Sequence, residues 1–303
     1  MVVSDAAAVR SRKAIDISKL AMYHSLMTST TSHTAHETFF LTRSEGRIGY
    51  EVAGHGPLVV LVPGMGDLRS TYRFLAPALV AEGFRVASVD LRGHGDSDAT
   101  FSSYGDAETS SDVVALIEHL GGPAVVVGNS MSAGSAVIAA AQRPELISGL
   151  VLVGPFVRNG AKNLIQRIML RAAMVPLWAA TSWKVYMPKL YPGQRPADFD
   201  EHRDLVAASV RRPGYAKSFS LTTRTNHDPA EACVSMVSAP SLVVMGTQDP
   251  DFADPAAEAS WLADALHGEV VMVADAGHYP QSQQPGIVTP AVVAFLKAVT
   301  VRA

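Results

Sequence analysis

The sequence predicts a doubly wound, mostly parallel α/β sheet interrupted by one helical insertion. Three observations predict it. Short β-branched runs alternate with helical patterns along most of the chain. LVVLV at 58–62 is a continuous apolar run, the signature of a strand covered on both faces. Residues 156–235 then break the rhythm with helical stretches and no clear strand run; at about 80 residues this is far beyond an ordinary loop.

Taken in order, alternation at 37–43 and at 47–52 predicts two half-buried strands before LVVLV. TYRFLAPALVAE at 71–82 predicts a helix and RVASVD at 85–90 the next strand. DVVALIEHL at 112–120 predicts a helix that stops at Gly121, Gly122 and Pro123. AVVV at 124–127 predicts a strand, followed by a helix that ends before Pro144 and a strand at 148–153. Beyond the insertion, strands are expected at 241–245 and 269–274, and helices at 255–266 and 290–299. The core is therefore expected over 36–155 and 236–303, with 156–235 set into it.

A chain of 303 residues can bury a large core, and its 17% charged content is that of a globular protein. The net charge of −3 gives no electrostatic case for nucleic acid or an anionic membrane as partner. The one cysteine, Cys233, cannot form an internal disulfide; this fits a reducing compartment, and a cytoplasmic location is expected. No zinc spacing and no organic-cofactor motif is visible, so no metal and no cofactor is expected. The longest apolar stretch, LIQRIMLRAAMVPLWAATSW, is interrupted by Arg167, Arg171 and Pro176 and cannot span a bilayer. The first 35 residues carry Asp16 and Lys19 where a signal peptide needs an apolar region. They are expected to be a weakly packed extension, with Met27 a candidate physiological start. A homo-oligomer is left open.

GNSMSAG at 128–134 places two serines after a strand. A nucleophile on a sharp strand-to-helix turn needs small residues two positions before and two after it. Ser130 has Gly128 and Ser132 there, and Ser132 has Ser130 and Gly134, so that rule does not choose. Strand phase does: the strand ends at Val127 or Gly128, which puts Ser130 at the turn and Ser132 inside the helix. The competing reading of Ser130 is a simple helix cap.

A serine nucleophile needs a base, and the base needs an orienting carboxylate. His278, in VVMVADAGHYP, lies in a short turn after a late strand; His94 in LRGHGDSD is its rival. His119 falls in a predicted helix, and His202 and His227 in the insertion. Asp249 sits four residues past the apolar run in LVVMGTQDPDFAD. Asp251 reads as a turn residue and Asp254, before Pro255, as a helix N-cap. Developing negative charge must be met by fixed backbone N–H groups. Met131 after the serine and Met65 in PGMGD are the expected donors, since Pro63 has no N–H. Asp90 and Arg92 in DLRGHGDSD read as a buried ion pair fixing that loop.

The order Ser130, Asp249, His278 together with GNSMSAG, VPGMGD, DLRGHGDSD and AGHYP resembles the α/β-hydrolase superfamily, in its small esterase and cofactor-free haloperoxidase-like branch. The resemblance covers about residues 45–300, with 156–235 corresponding to that family's variable cap. It implies an α/β-hydrolase sheet, a Ser-His-Asp triad and acyl transfer on an ester or related acyl compound. Perhydrolysis, carbon–carbon bond hydrolysis and a slow-turnover ligand receptor are the alternatives it leaves. Two positions depart from the family pattern: Pro63 stands where histidine is common, and Ser132 stands where glycine is usual. The Met-, Leu- and Trp-rich insertion implies a substrate with an apolar portion, with Phe156, Trp178 and Trp183 as candidate lining residues.

Overall fold

The computed structural model describes residues 37–160, 169 and 171–301. The N-terminal extension expected over 1–35, with its candidate start at Met27, lies outside the described residues. The strands are β1 Phe39–Arg43, β2 Gly46–Ala53, β3 Leu58–Val62, β4 Arg85–Val89, β5 Ala124–Asn129, β6 Ile147–Val153, β7 Ser241–Gly246 and β8 Glu269–Val273. They form one sheet in the order β1-β2-β4-β3-β5-β6-β7-β8. The β1–β2 and β2–β4 pairs are antiparallel and every pair from β4 to β8 is parallel.

The apolar runs are continuous because both faces of the sheet are covered. Leu58, Val60 and Val62 of β3 point into a cluster with Leu116, Val137 and Leu262, from helices Asp106–Leu120, Met131–Gln142 and Pro255–Leu266. Val59 and Leu61 point the other way, to Leu79 of helix Leu75–Ala81 and Leu296 of helix Pro285–Thr300. The same alternation holds in β5, β6 and β7.

Three helices differ from expectation. The helix expected over 71–82 is a 3-10 turn at Arg69–Tyr72 followed by helix Leu75–Ala81. Pro77 has no N–H to bond back to the preceding turn and sits in the first turn of helix Leu75–Ala81, where that N–H would have no helical partner. Helix Asp106–Leu120 starts earlier than its apolar pattern, on a polar first turn with Asp106 and Glu108 that suits the helix N-terminus. The last helix also starts early, with Pro285 at its first position and Pro290 carried inside it.

Between β6 and β7 the chain is helical: Ala179–Tyr186, Phe199–Val210, Tyr215–Thr222 and Asp228–Cys233, with no strand among the described residues. This insertion has a core of its own, in which Trp183, Met187, Leu190, Phe199 and Phe219 pack together with Tyr279. Among the described residues no helix is long and apolar enough to cross a membrane.

The strand order reverses at β3, which has β4 on one side and β5 on the other. Val62 and Gly128 are register partners, so the loops leaving β3 and β5 start side by side at the carboxyl edge. That crevice is where open α/β sheets place their ligands.

Candidate active site

Ser130 follows β5 directly and precedes helix Met131–Gln142. Its φ of 57° and ψ of −125° lie in a region that non-glycine residues rarely adopt. The conformation is held by its neighbours: Ser130 N–H donates to Val153 O at 2.9 Å, and Ser130 O accepts from Phe156 N at 3.1 Å and Ala133 N at 3.0 Å. Although Ser130 occupies the N-cap position, its side chain makes no capping bond, so helix capping does not account for it. At Gly128 a Cβ would lie 2.4 Å from the Ser132 carbonyl oxygen, which is why the turn requires glycine there.

His278 sits in the loop after β8, with its Nδ1 2.8 Å from Asp249 Oδ2 in the loop after β7. Both side chains are buried. Asp249 Oδ1 accepts the Asp251 amide at 3.0 Å, and the second carboxylate, Asp251 Oδ2, is 3.8 Å from the same Nδ1. Burial pulls the imidazole pKa down, but the charge and hydrogen bond of Asp249 outweigh it; with Asp251 adding, they push it up to about 9. Gly154, at the end of β6, makes room for the pair: a Cβ there would be 3.2 Å from His278 Nδ1 and 3.3 Å from Asp249 Oδ2.

The loop after β3 is tied down by hydrogen bonds from three sides. Ser132 Oγ donates to Pro63 O at 2.5 Å, and Asp67 N–H to Gly64 O at 3.2 Å. Gly66 N–H donates to His94 Nε2 at 3.0 Å, and Gly66 O accepts from Trp183 Nε1 at 2.6 Å. Asp67 Oδ1 accepts from Leu68 N at 2.8 Å and from His202 Nε2 at 2.7 Å. Among the described residues the Met65 and Met131 amides have no acceptor. Met65, Ser130, Met131 and His278 share one cavity of about 550 Å³, lined also by residues of the insertion.

A family model described as the alpha/beta hydrolase family matches residues 59–291. The chain belongs to that family. This alpha/beta hydrolase is 28% identical over 264 residues to the 2-(acetamidomethylene)succinate hydrolase of Mesorhizobium japonicum, covering 84% of this chain and 93% of the relative. It is 24% identical over 265 residues to the 3-oxoadipate enol-lactonase 2 of Acinetobacter baylyi, covering 85% and 96%. In fold it is similar to a bromoperoxidase from Bacillus anthracis, with a TM-score of 0.76 at 18% identity, covering 86% of this chain and all of that one.

Ser130, His278, Asp249, Met65 and Met131 are thus brought to one edge of the hydrolase sheet. Phe156 and Trp183 also line the cavity. Trp178 does not: it stands before helix Ala179–Tyr186, 46% exposed, with Nε1 donating to Ala172 O at 3.0 Å. His94 holds the Gly66 amide with Nε2 and the Arg92 carbonyl with Nδ1 at 2.8 Å, so both ring nitrogens are spent on loop backbone. Burial lowers its pKa, which suits a neutral ring that donates at one nitrogen and accepts at the other. Asp254 caps its helix through the Ala257 amide at 3.0 Å, as expected.

Asp90 and Arg92 are not partners. Asp90 is fully buried and pairs with Arg69, while Arg92 pairs with Asp112, Nη2 to Oδ1 at 2.9 Å. Asp90 also accepts the Arg69 and Asp96 amides at 2.8 and 2.9 Å. Two residues of the hydrolase were missed. Asn129 donates to Val153 O at 3.0 Å and His278 O at 3.3 Å, tying the elbow to the histidine loop. His227, set aside as part of the insertion, lines the cavity with its Nδ1 2.7 Å from Asp106 Oδ2.

Proposed function

We propose that the protein is a serine hydrolase that cleaves a carboxylic ester or a related acyl compound with an apolar portion. The observation that carries this reading is the strained Ser130 backbone, which presents the hydroxyl to the cavity that also holds His278. His278, oriented by Asp249, takes the Ser130 proton as Oγ attacks the acyl carbon. The amides of Met65 and Met131 donate to the oxyanion, in place of reorganised water. The imidazolium then passes its proton to the leaving alcohol, and an acyl-serine remains. Water, deprotonated by the same imidazole, attacks the acyl carbon and releases the acid, restoring Ser130.

Met65, Met131, Phe156, Met174, Trp183 and Leu190 give the cavity the apolar surface that suits the acyl chain. The insertion serves as a cap over this chamber. Relatives named as a hydrolase and an enol-lactonase support hydrolysis at an acyl carbon.

The experiment is labelling with a fluorophosphonate probe, followed by mapping of the adduct. Labelling at Ser130 that is lost in Ser130→Ala and kept in Ser132→Ala is expected. An adduct on Ser132, or no adduct together with no ester turnover, overturns the reading.

A further inference from the structure

The cavity has a second imidazole–carboxylate pair that the mechanism does not use. His227 stands just before helix Asp228–Cys233, and its Nδ1 is 2.7 Å from Asp106 Oδ2. Asp106 opens helix Asp106–Leu120 and is itself buried. Its Oδ1 has no hydrogen-bond partner among the described residues, and burial pushes its carboxyl pKa up against the opposing effects of His227 and the Ser135 hydroxyl. A carboxylate is costly to bury unless something compensates it, which makes this pair a deliberate anchor for the ring.

The ring is fixed in two further ways. Its plane stacks on Phe156, with centroids 5.7 Å apart and 24° between planes. Its backbone N–H donates to Asn159 Oδ1 at 3.2 Å. With Nδ1 spent on Asp106, the ring has only Nε2 left to offer, and Nε2 has no protein partner among the described residues. The His278 ring also lies 5.7 Å from Phe156, edge-on. Both imidazoles therefore contact one phenyl ring and line one chamber with Ser130.

The charged groups of that chamber are unevenly partnered. Asp228 accepts from Asn159 Nδ2 at 2.5 Å, and Asp251, at the His278 end, accepts from Tyr186 Oη at 3.1 Å. Arg171 and Arg224 line the cavity and have no carboxylate partner among the described residues. Elsewhere Arg73 pairs with Asp198 and Arg158 with Glu258, whereas Arg85, Arg195 and Arg212 meet backbone carbonyls. Guanidinium forks match carboxylate geometry, and an imidazole carrying protons on both nitrogens donates one N–H to each of two carboxylates.

We propose that His227, Arg171 and Arg224 form a carboxylate-binding subsite, and that the substrate is an acyl compound whose arm ends in a carboxylate. The subsite and the scissile carbonyl share the Phe156 ring, which His227 meets face-on and His278 edge-on. Asp106 acts through His227 as a positioning residue. The proposal rests on the serine hydrolase reading above.

Two esters that differ only at the far end test it: phenyl hexanoate, ending in a methyl group, and monophenyl adipate, ending in a carboxylate. Released phenol is measured for both with the full-length protein, and the readout is the ratio of their kcat/KM values. That ratio is internal to each variant, so partial loss of folded protein cancels. The wild type is expected to favour the adipate by about tenfold or more. His227→Ala and Arg224→Gln are each expected to pull the ratio toward or below unity, and Asp106→Asn to lower it by a smaller factor. A wild-type ratio at or below one, or a ratio above one that survives in both His227→Ala and Arg224→Gln, overturns the subsite. Failure of the hydrolase reading looks different: no fluorophosphonate adduct on Ser130 and no turnover of either ester.

Discussion

Ser132 Oγ donates a 2.5 Å hydrogen bond to the carbonyl of Pro63. The sequence singles out both positions, Pro63 where the resemblance implies a histidine and Ser132 where it implies a glycine, and they touch. A hydroxyl from the elbow helix reaches across and holds the loop that carries the Met65 amide. Ser132→Gly leaves the oxygen of buried Pro63 without this donor, a loss of about 1–3 kcal/mol. The expected result is a lower Tm and about a tenfold fall in kcat, with a smaller change in KM, because a loosened amide is felt mostly in the transition state. Steady-state kinetics on one ester checks it; an unchanged kcat refutes the tether.

Ser130→Ala, His278→Ala and Asp249→Asn should not add. Groups that work as one unit fail together, so each single change is expected to lower kcat by about 10⁴ and the triple change by little more. Asp249→Asn is the informative one, since it keeps the shape and changes the hydrogen bonding at Nδ1. Circular dichroism establishes that the fold is retained, and burst kinetics reads the acylation step.

The pH profile follows from His278. Only the neutral imidazole accepts the serine proton, and its pKa is pushed up to about 9. Thus kcat/KM is expected to climb about tenfold per pH unit and level off above that midpoint. Asp251→Asn removes a carboxylate 3.8 Å from Nδ1, so the midpoint should move to lower pH. The same group contributes to stability with a fixed sign. Its folded pKa lies above its ordinary 6.5, so the contribution is fully present below 6.5 and is lost as pH rises through about 9. Kinetics from pH 6 to 10, paired with urea midpoints, checks both.

Gly154→Ala is expected to damage the site more than the fold. The φ of +50° at this position is unfavourable for alanine, and the new Cβ would press within 3.2 Å of His278 Nδ1 and 3.3 Å of Asp249 Oδ2. A fall in kcat/KM of about tenfold to a hundredfold, with a loss of about 1–3 kcal/mol in stability, is expected. Normal activity would mean that the His278–Asp249 contact tolerates displacement.

What could be read from the sequence shares one property: it is local. Ser130, Asp249 and His278 each follow a strand run within a few residues, so strand phase alone places them at one sheet edge. The Asp254 cap is likewise written in four consecutive residues. What could not be read is pairing through space. Asp90 was expected to pair with Arg92, two residues away, but the fold gives it Arg69 from the preceding loop. His227 finds Asp106 from 121 residues away. Trp178 and Trp183 look equivalent in an aromatic-rich stretch, yet only Trp183 lies on the helical face turned inward. The direction of that face depends on what the insertion packs against, which no local pattern records.

Trp183 and His202 belong to the insertion, and what they grip is Gly66 and Asp67. The insertion is therefore not a detachable module seated on a finished catalytic scaffold. Transplanting the segment from another family member would remove two anchors of the β3 loop along with the chamber wall. A chimaera that hopes to borrow a relative's substrate range would have to bring that relative's β3 loop with it.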